Sequence, residues 1–125
     1  MNENQIAKEI VNESFKIHTC FGPGLLESVY EEILQFQLRK LGFLVERQVG
    51  IPLKWEGLKM ELGFRVDLLI DKKVIIELKS VESLAPVHFK QVLTYLRLTN
   101  LKLGLLINFN ENLIKDGINR VVNNL

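Results

Sequence analysis

Residues 66–79 read Val-Asp-Leu-Leu-Ile-Asp-Lys-Lys-Val-Ile-Ile-Glu-Leu-Lys. Two β-branched apolar runs flank a polar turn, which is the pattern of a β-hairpin. Asp67 lies inside the first run, and Glu77 and Lys79 lie inside the second. Ionised side chains are rare in central strands because burying an unpaired carboxylate is costly. Side chains alternate along a strand, so Ile75, Glu77 and Lys79 share one face, as do Arg65, Asp67 and Leu69. A loop of Asp71-Lys72-Lys73 pairs Ile70 with Val74 and sets Asp67 opposite Glu77. A two-residue loop sets Asp67 opposite Ile76 and sends the acids to opposite faces. Both registers are open to the sequence, and only the first builds a site.

In that register the two carboxylates stand about 5 Å apart and repel, as like charges directly opposite on a sheet do. A divalent cation between them reverses the sign. Oxygen ligands with few or no histidines favour magnesium, or manganese, over zinc. Lys79 points the same way, where it can pair with a phosphate, stabilise developing negative charge or orient a water. The alternative without chemistry is an exposed ladder of charges across an edge strand.

Outward from the hairpin, residues 4–18 read as a helix with Ile6, Ile10, Phe15 and Ile17 on one stripe. Gly22-Pro23-Gly24 breaks the chain. A second helix is expected over 25–41, with Leu26, Val29, Ile33 and Phe36 on its apolar side and Gly42 as stop signal. Residues 43–49 and 51–57 read as strands, with Glu56-Gly57 a turn, and 58–64 lead into the hairpin. Pro86 opens a third helix over 86–100, since proline is tolerated in the first turn. Residues 103–109, Leu-Gly-Leu-Leu-Ile-Asn-Phe, read as a strand buried on both faces. Residues 112–125 read as a closing amphipathic helix. The expected order is α-α-β-β-β-β-α-β-α, a mixed central sheet flanked by helices. The strand-helix-strand stretch 74–109 makes its two strands parallel.

The chain has 125 residues, 47% hydrophobic and 25% charged, which suits a single domain over 1–125 with its own core. Sixteen Lys and Arg against fifteen Asp and Glu leave a net charge of +1, so any nucleic-acid site must be a local patch. Cys20 is the only cysteine, and with His18 it completes no metal set. No apolar run is long enough to cross a membrane, and the polar first residues lack a signal-peptide core. The expectation is a cytoplasmic protein with no membrane partner.

An Asp followed ten residues later by Glu-x-Lys on the next strand resembles the signature of the PD-(D/E)XK nuclease superfamily. Here it falls on Asp67 with Glu77-Leu78-Lys79. Gly24-Leu-Leu-Glu27-Ser-Val-Tyr30 resembles the motif that names the small GxxExxY branch of that superfamily. Gln91 and Tyr95, one helical turn apart, resemble the Gln-x-x-x-Tyr of recombination-exonuclease relatives. The strict proline before the aspartate is missing, because Val66 stands there. The resemblance spans residues 6–123 and implies a restriction-endonuclease-like αβββαβ core.

It also implies roles. Glu27, Asp67 and Glu77 would be metal ligands, joined by the Leu78 backbone carbonyl, with Mg2+ or Mn2+ as the ion. Lys79 would position or activate the attacking water. Gly24, Tyr30, Gln91 and Tyr95 would line the substrate cleft. The spacing agrees, since Gly24, Glu27 and Tyr30 recur every three residues and Gln91 and Tyr95 are four apart. The activity expected is a metal-dependent phosphodiesterase acting on nucleic acid, DNA before RNA, as a homodimer or with a protein partner. The rival is a catalytically silent nuclease-fold module that binds nucleic acid or a protein. The near-neutral charge favours that rival, and the complete Asp, Glu, Lys set argues against it.

Overall fold

The computed structural model describes the backbone of residues 1–125 and the side chains of all but residues 61–63. Two helices lead, α1 (Glu3–Phe21) and α2 (Glu27–Lys40). Three strands follow, β1 (Val45–Trp55), β2 (Leu58–Ile70) and β3 (Val74–Lys79). Helix α3 (Pro86–Thr99), β4 (Leu103–Asn108) and β5 (Ile118–Val122) complete the chain. The five strands form one sheet in the order β1-β2-β3-β4-β5, antiparallel except for the parallel pair β3-β4. Two core layers lie on it. One joins α1 and α2 to Leu68, Ile70, Ile76, Leu78 and Leu105. The other joins Val92, Tyr95 and Leu96 of α3 to Val66, Ile75 and Leu106. This is the mixed sheet with flanking helices expected of a restriction-endonuclease-like fold.

Strand β3 is buried at five of its six residues and β4 at all six, because both faces of the central strands are covered by helices. Helix α1 starts on a reciprocal cap. The Asn2 side chain accepts from the Gln5 N–H at 2.9 Å, and Gln5 returns the bond to the Asn2 N–H. Helix α3 uses His88 for the same purpose, its Nδ1 accepting from the Ala85 N–H at 3.0 Å. The β4 backbone lies close under α3 at Gly104, where a Cβ would overlap Val92.

Several expectations need correction. Residues 43–49 and 51–57 are one strand, β1, because Pro52 is tolerated where the strand forms the edge of the sheet. Residues 58–64 run straight into 65–70 as β2, as expected. The sheet therefore carries three strands before α3, not four.

The closing helix does not form. Residues 114–116 make a single 3-10 turn and 118–122 pair with β4 as an edge strand. The three-residue spacing of Ile118 and Val121 looked helical. On a strand it sends them to opposite faces, and each packs against a different core layer. At Gly117 a Cβ would overlap the Asn108 carbonyl oxygen, so glycine is what lets the chain turn back against β4.

Helix α2 is also rotated from expectation. It starts at Glu27, with Leu26 extended at its N-cap, and buries Tyr30, Glu31, Leu34 and Leu38. Leu26, Val29 and Phe36 are exposed instead. The stripe Tyr30, Leu34, Leu38 faces the core, and Glu31 beside it finds partners in Arg47 and Gln48 on β1. On α1, Phe15 is exposed while Ile6, Ile10 and Ile17 are buried.

Candidate active site

The loop Asp71-Lys72-Lys73 closes the β2-β3 hairpin, with Asp71 and Lys72 in the left-handed region at φ 50° and 54°. Asp71 is tied to the chain before β1, accepting from the Leu44 N–H at 2.9 Å through its side chain. The three-residue loop sets the register Ile70–Val74, Leu69–Ile75 and Leu68–Ile76. The next residues on the two strands are Asp67 and Glu77.

There the regular ladder stops and the two carboxylates replace it. Glu77 Oε1 accepts from the Asp67 N–H at 3.0 Å, and Asp67 Oδ2 accepts from the Leu78 N–H at 2.8 Å. Each acid therefore bonds the other strand's backbone. The pair is held close in a partly dry setting. Burial, then the Asp67 charge, pushes the Glu77 carboxyl up to about 8. Burial, together with the Glu31 charge, raises Asp67, against the Leu78 N–H, which lowers it. The Lys79 charge lowers both, so its ammonium acts on the pair although it forms no ion pair among the described residues.

Residues that the sequence did not single out complete the surroundings. Gln48 lies on β1 beside Asp67, at φ 53°, a strained setting for a non-glycine residue. Its amide donates to Asp67 Oδ1 at 3.2 Å and to Glu31 Oε1 at 2.7 Å. Glu31, buried on α2, also accepts from Arg47 Nε at 2.6 Å, and Arg47 reaches Glu32 as well. Asp67, Leu78, Glu27, Ser28, Glu31 and Gln48 line one cleft of about 220 Å³. The only sequence trace of Glu31 was its position one turn after Glu27. Gln48 left none, because its role depends on an unusual backbone angle.

Glu27 reaches the chain just after Lys79, where its Oε2 accepts from the Ser80 N–H at 3.2 Å. Ser80 in turn donates to the Leu25 carbonyl at 2.8 Å. Buried Asn108, at the end of β4, holds the next residue by two bonds, Asn108 Nδ2 to the Val81 carbonyl and the Val81 N–H to Asn108 Oδ1. The end of β3 is thus clamped from both sides.

The cleft residues divide. Gly24, at φ 107°, lies outside α2 and lines a neighbouring hollow with Glu27 and Ser80. Tyr30 is a core residue, not a cleft residue. It is fully buried, stacks on Phe109 at 4.4 Å, and bonds Gly22 and Leu25 through its hydroxyl. It braces the turn that delivers Glu27. Tyr95 is almost buried against Phe64, and its phenol is raised by burial and then by the Glu77 and Asp67 charges. Gln91, one turn earlier, is exposed on α3. His18 is structural, with Nε2 2.8 Å from the Glu111 carbonyl oxygen, and Cys20 is free and exposed.

The donors fit a hard cation in kind, being carboxylate and carbonyl oxygens whose mutual repulsion a positive ion would relieve. Among the described residues no group of three His, Cys, Asp or Glu side chains converges on one point. Any cation would rest on two protein carboxylates, with main-chain or substrate oxygens beside them.

A mixed sheet with an αβββαβ core and a clustered Asp, Glu and Lys where its β2-β3 hairpin opens defines the restriction-endonuclease-like class. Residues 4–121 match the PD-(D/E)XK nuclease superfamily, and the chain belongs to it. Neither the curated proteins nor the solved structures yield a match to this chain. Nucleases of this superfamily generally use divalent metals, and membership implies nucleic acid as the bound partner. No helix among the described residues is long and apolar enough to cross a membrane.

Proposed function

We propose that this protein is a magnesium-dependent nuclease of the GxxExxY branch that hydrolyses phosphodiester bonds in DNA. The observation that carries the reading is the exchange between Asp67 and Glu77. Two acids that repel each other are nonetheless held opposite one another by the backbone they bond. A purely structural hairpin has no reason to keep that arrangement, since apolar residues would continue the ladder at lower cost.

Asp67, Glu77 and the Leu78 carbonyl would hold the ion, with Glu27 nearby at the cleft wall. A divalent cation held there supplies charge neutralisation for the phosphate and its developing negative charge. Lys79 orients the attacking water and stabilises charge on the phosphate oxygens. The water gives up a proton to solvent as its oxygen bonds to phosphorus, the bond from phosphorus to the 3′-oxygen breaks, and the leaving oxygen takes up a proton from solvent. The products carry 5′-phosphate and 3′-hydroxyl ends. Gln48 fixes the Asp67 carboxylate, and Tyr95 closes the far wall of the pair.

The second reading is a nuclease-fold module that binds without cleaving. It is favoured by the protein donors that already occupy both Asp67 oxygens. Calorimetric titration with magnesium and manganese, with and without a phosphorothioate oligonucleotide, separates the two. Saturable binding lost in Asp67→Asn, with cleavage of the ordinary oligonucleotide, supports the nuclease. Absence of metal binding in both conditions supports the silent module.

A further inference from the structure

Beyond Ile51 the β1-β2 pair leaves the body of the molecule. From Pro52 to Met60 no residue is buried. Glu56 and Gly57, at φ 45° and 87°, form the two-residue turn. Lys54 pairs with Lys59, Trp55 with Leu58, and Leu53 with Met60. Alternation therefore places Leu53, Trp55, Leu58 and Met60 on one face of the ribbon and both lysines on the other. Trp55 is 67% exposed and Leu58 58%.

A two-stranded hairpin alone is marginally stable, and like charges directly opposite weaken it further. An exposed tryptophan on one face of the ribbon and a pair of facing lysines on the other suit a polyanion with flat apolar faces. Nucleic acid offers both, phosphates for the lysines and bases for the indole to stack on. Edge lysines such as Lys54 serve to discourage pairing with a second copy along the β1 edge. From Gln48, beside the acidic pair, to Trp55 is seven residues, about 23 Å of strand. That is a span of about six to seven nucleotides at 3.4 Å each.

We propose that the β1-β2 ribbon is a nucleic-acid-gripping arm, in which Lys54 and Lys59 contact phosphates and Trp55 stacks on or wedges between bases. The proposal rests on the nucleic-acid reading of the acidic site and names the surface that holds the substrate of that site. Major-groove width admits a two-stranded ribbon, so a duplex can seat the arm without opening.

Trp55 is the only tryptophan in the chain, so its emission reports on the arm alone. The test titrates the full chain, in EDTA to prevent cleavage, with a 20-base-pair duplex and with a single strand of the same length. Acrylamide accessibility of Trp55 is read alongside the anisotropy of a labelled oligonucleotide. The expected result is saturable shielding of Trp55 that weakens as salt rises. Lys54→Ala with Lys59→Ala should lower the salt slope by about 1.8, two phosphates at about 0.9 each. Trp55→Ala should weaken binding about 5- to 150-fold with the slope unchanged. Anisotropy that rises while Trp55 stays fully quenchable overturns the arm. So does shielding that grows with protein concentration in the absence of nucleic acid, which would mark a self-association surface. Cleavage with normal KM in the tip variants overturns the arm and leaves the nuclease standing. Shielding by DNA without cleavage in any divalent metal sustains the arm and removes the nuclease.

Discussion

The two hairpins of this sheet break the rule of burial in opposite directions. The β2-β3 hairpin draws Asp67 and Glu77 into a setting dry enough to raise both carboxyls. The outer half of the β1-β2 hairpin sets Trp55, Leu58 and Met60 in water. A buried polar group and an exposed apolar patch are the two departures that most often mark function. The first is held rigidly by covered strands on both sides and suits chemistry. The second is exposed from Pro52 to Met60 apart from half-buried Leu53, and suits binding.

The largest expected effect tests the chemical half of that contrast. Glu77→Gln should lower cleavage by about 100-fold or more, measured on a labelled oligonucleotide under single-turnover conditions. The same variant should melt at or above the temperature of the parent chain, because it removes a charge that burial penalises. A variant that unfolds instead would make Glu77 a structural residue and dissolve the contrast.

Next comes pH. The folded Glu77 carboxyl titrates near 8 against 4.5 for the ordinary value, so the folded state binds its proton more tightly than the unfolded state does. Its stabilising contribution is fully present below about pH 4.5 and is lost progressively as pH rises to about 8. In EDTA the melting temperature should fall between pH 5 and pH 8, and magnesium should restore it at pH 8. Glu77→Gln should flatten the profile. A parent profile as flat as that of the variant would mean the pair is not dry.

Gln48 links the two hairpins, since it sits on β1 and bonds the acids. Gln48→Gly removes the amide and relieves the left-handed backbone at φ 53°. Metal affinity should fall about 10-fold, as for other residues that orient ligands, while stability holds or rises. Loss of both together would show that the amide is a structural brace. The smallest effect belongs to the tip. Trp55→Ser should change stability by less than about 0.5 kcal/mol in a denaturant titration, because Trp55 is 67% exposed. A larger loss would place the ribbon in the core of the molecule and sink the comparison.

Part of this was legible in the sequence. Two-residue alternation left two registers for the acids, and the structure takes the one with the Asp71-Lys72-Lys73 loop and Ile70 paired to Val74. Glu56-Gly57 announced its turn because few residues accept a positive φ. The rest depended on what each segment meets. Ile118 and Val121 fit a helix or a strand by spacing alone, and the open edge of β4 made them a strand. Tyr30 fits a cleft by motif, and Phe109 drew it into the core.

The sequence by itself determined the strands that carry the acidic pair, the positions of α1 and α3, and the buried strand β4, because side-chain periodicity is a property of adjacent residues, while the choice between the two hairpin registers waited for the fold. Tertiary structure alone decided which face of α2 is buried, and with it the place of Glu31. It alone bent Gln48 into position to bond two acids from other elements. Those arrangements depend on backbone donors, charges and surfaces brought together across the chain, and no local pattern carries that information.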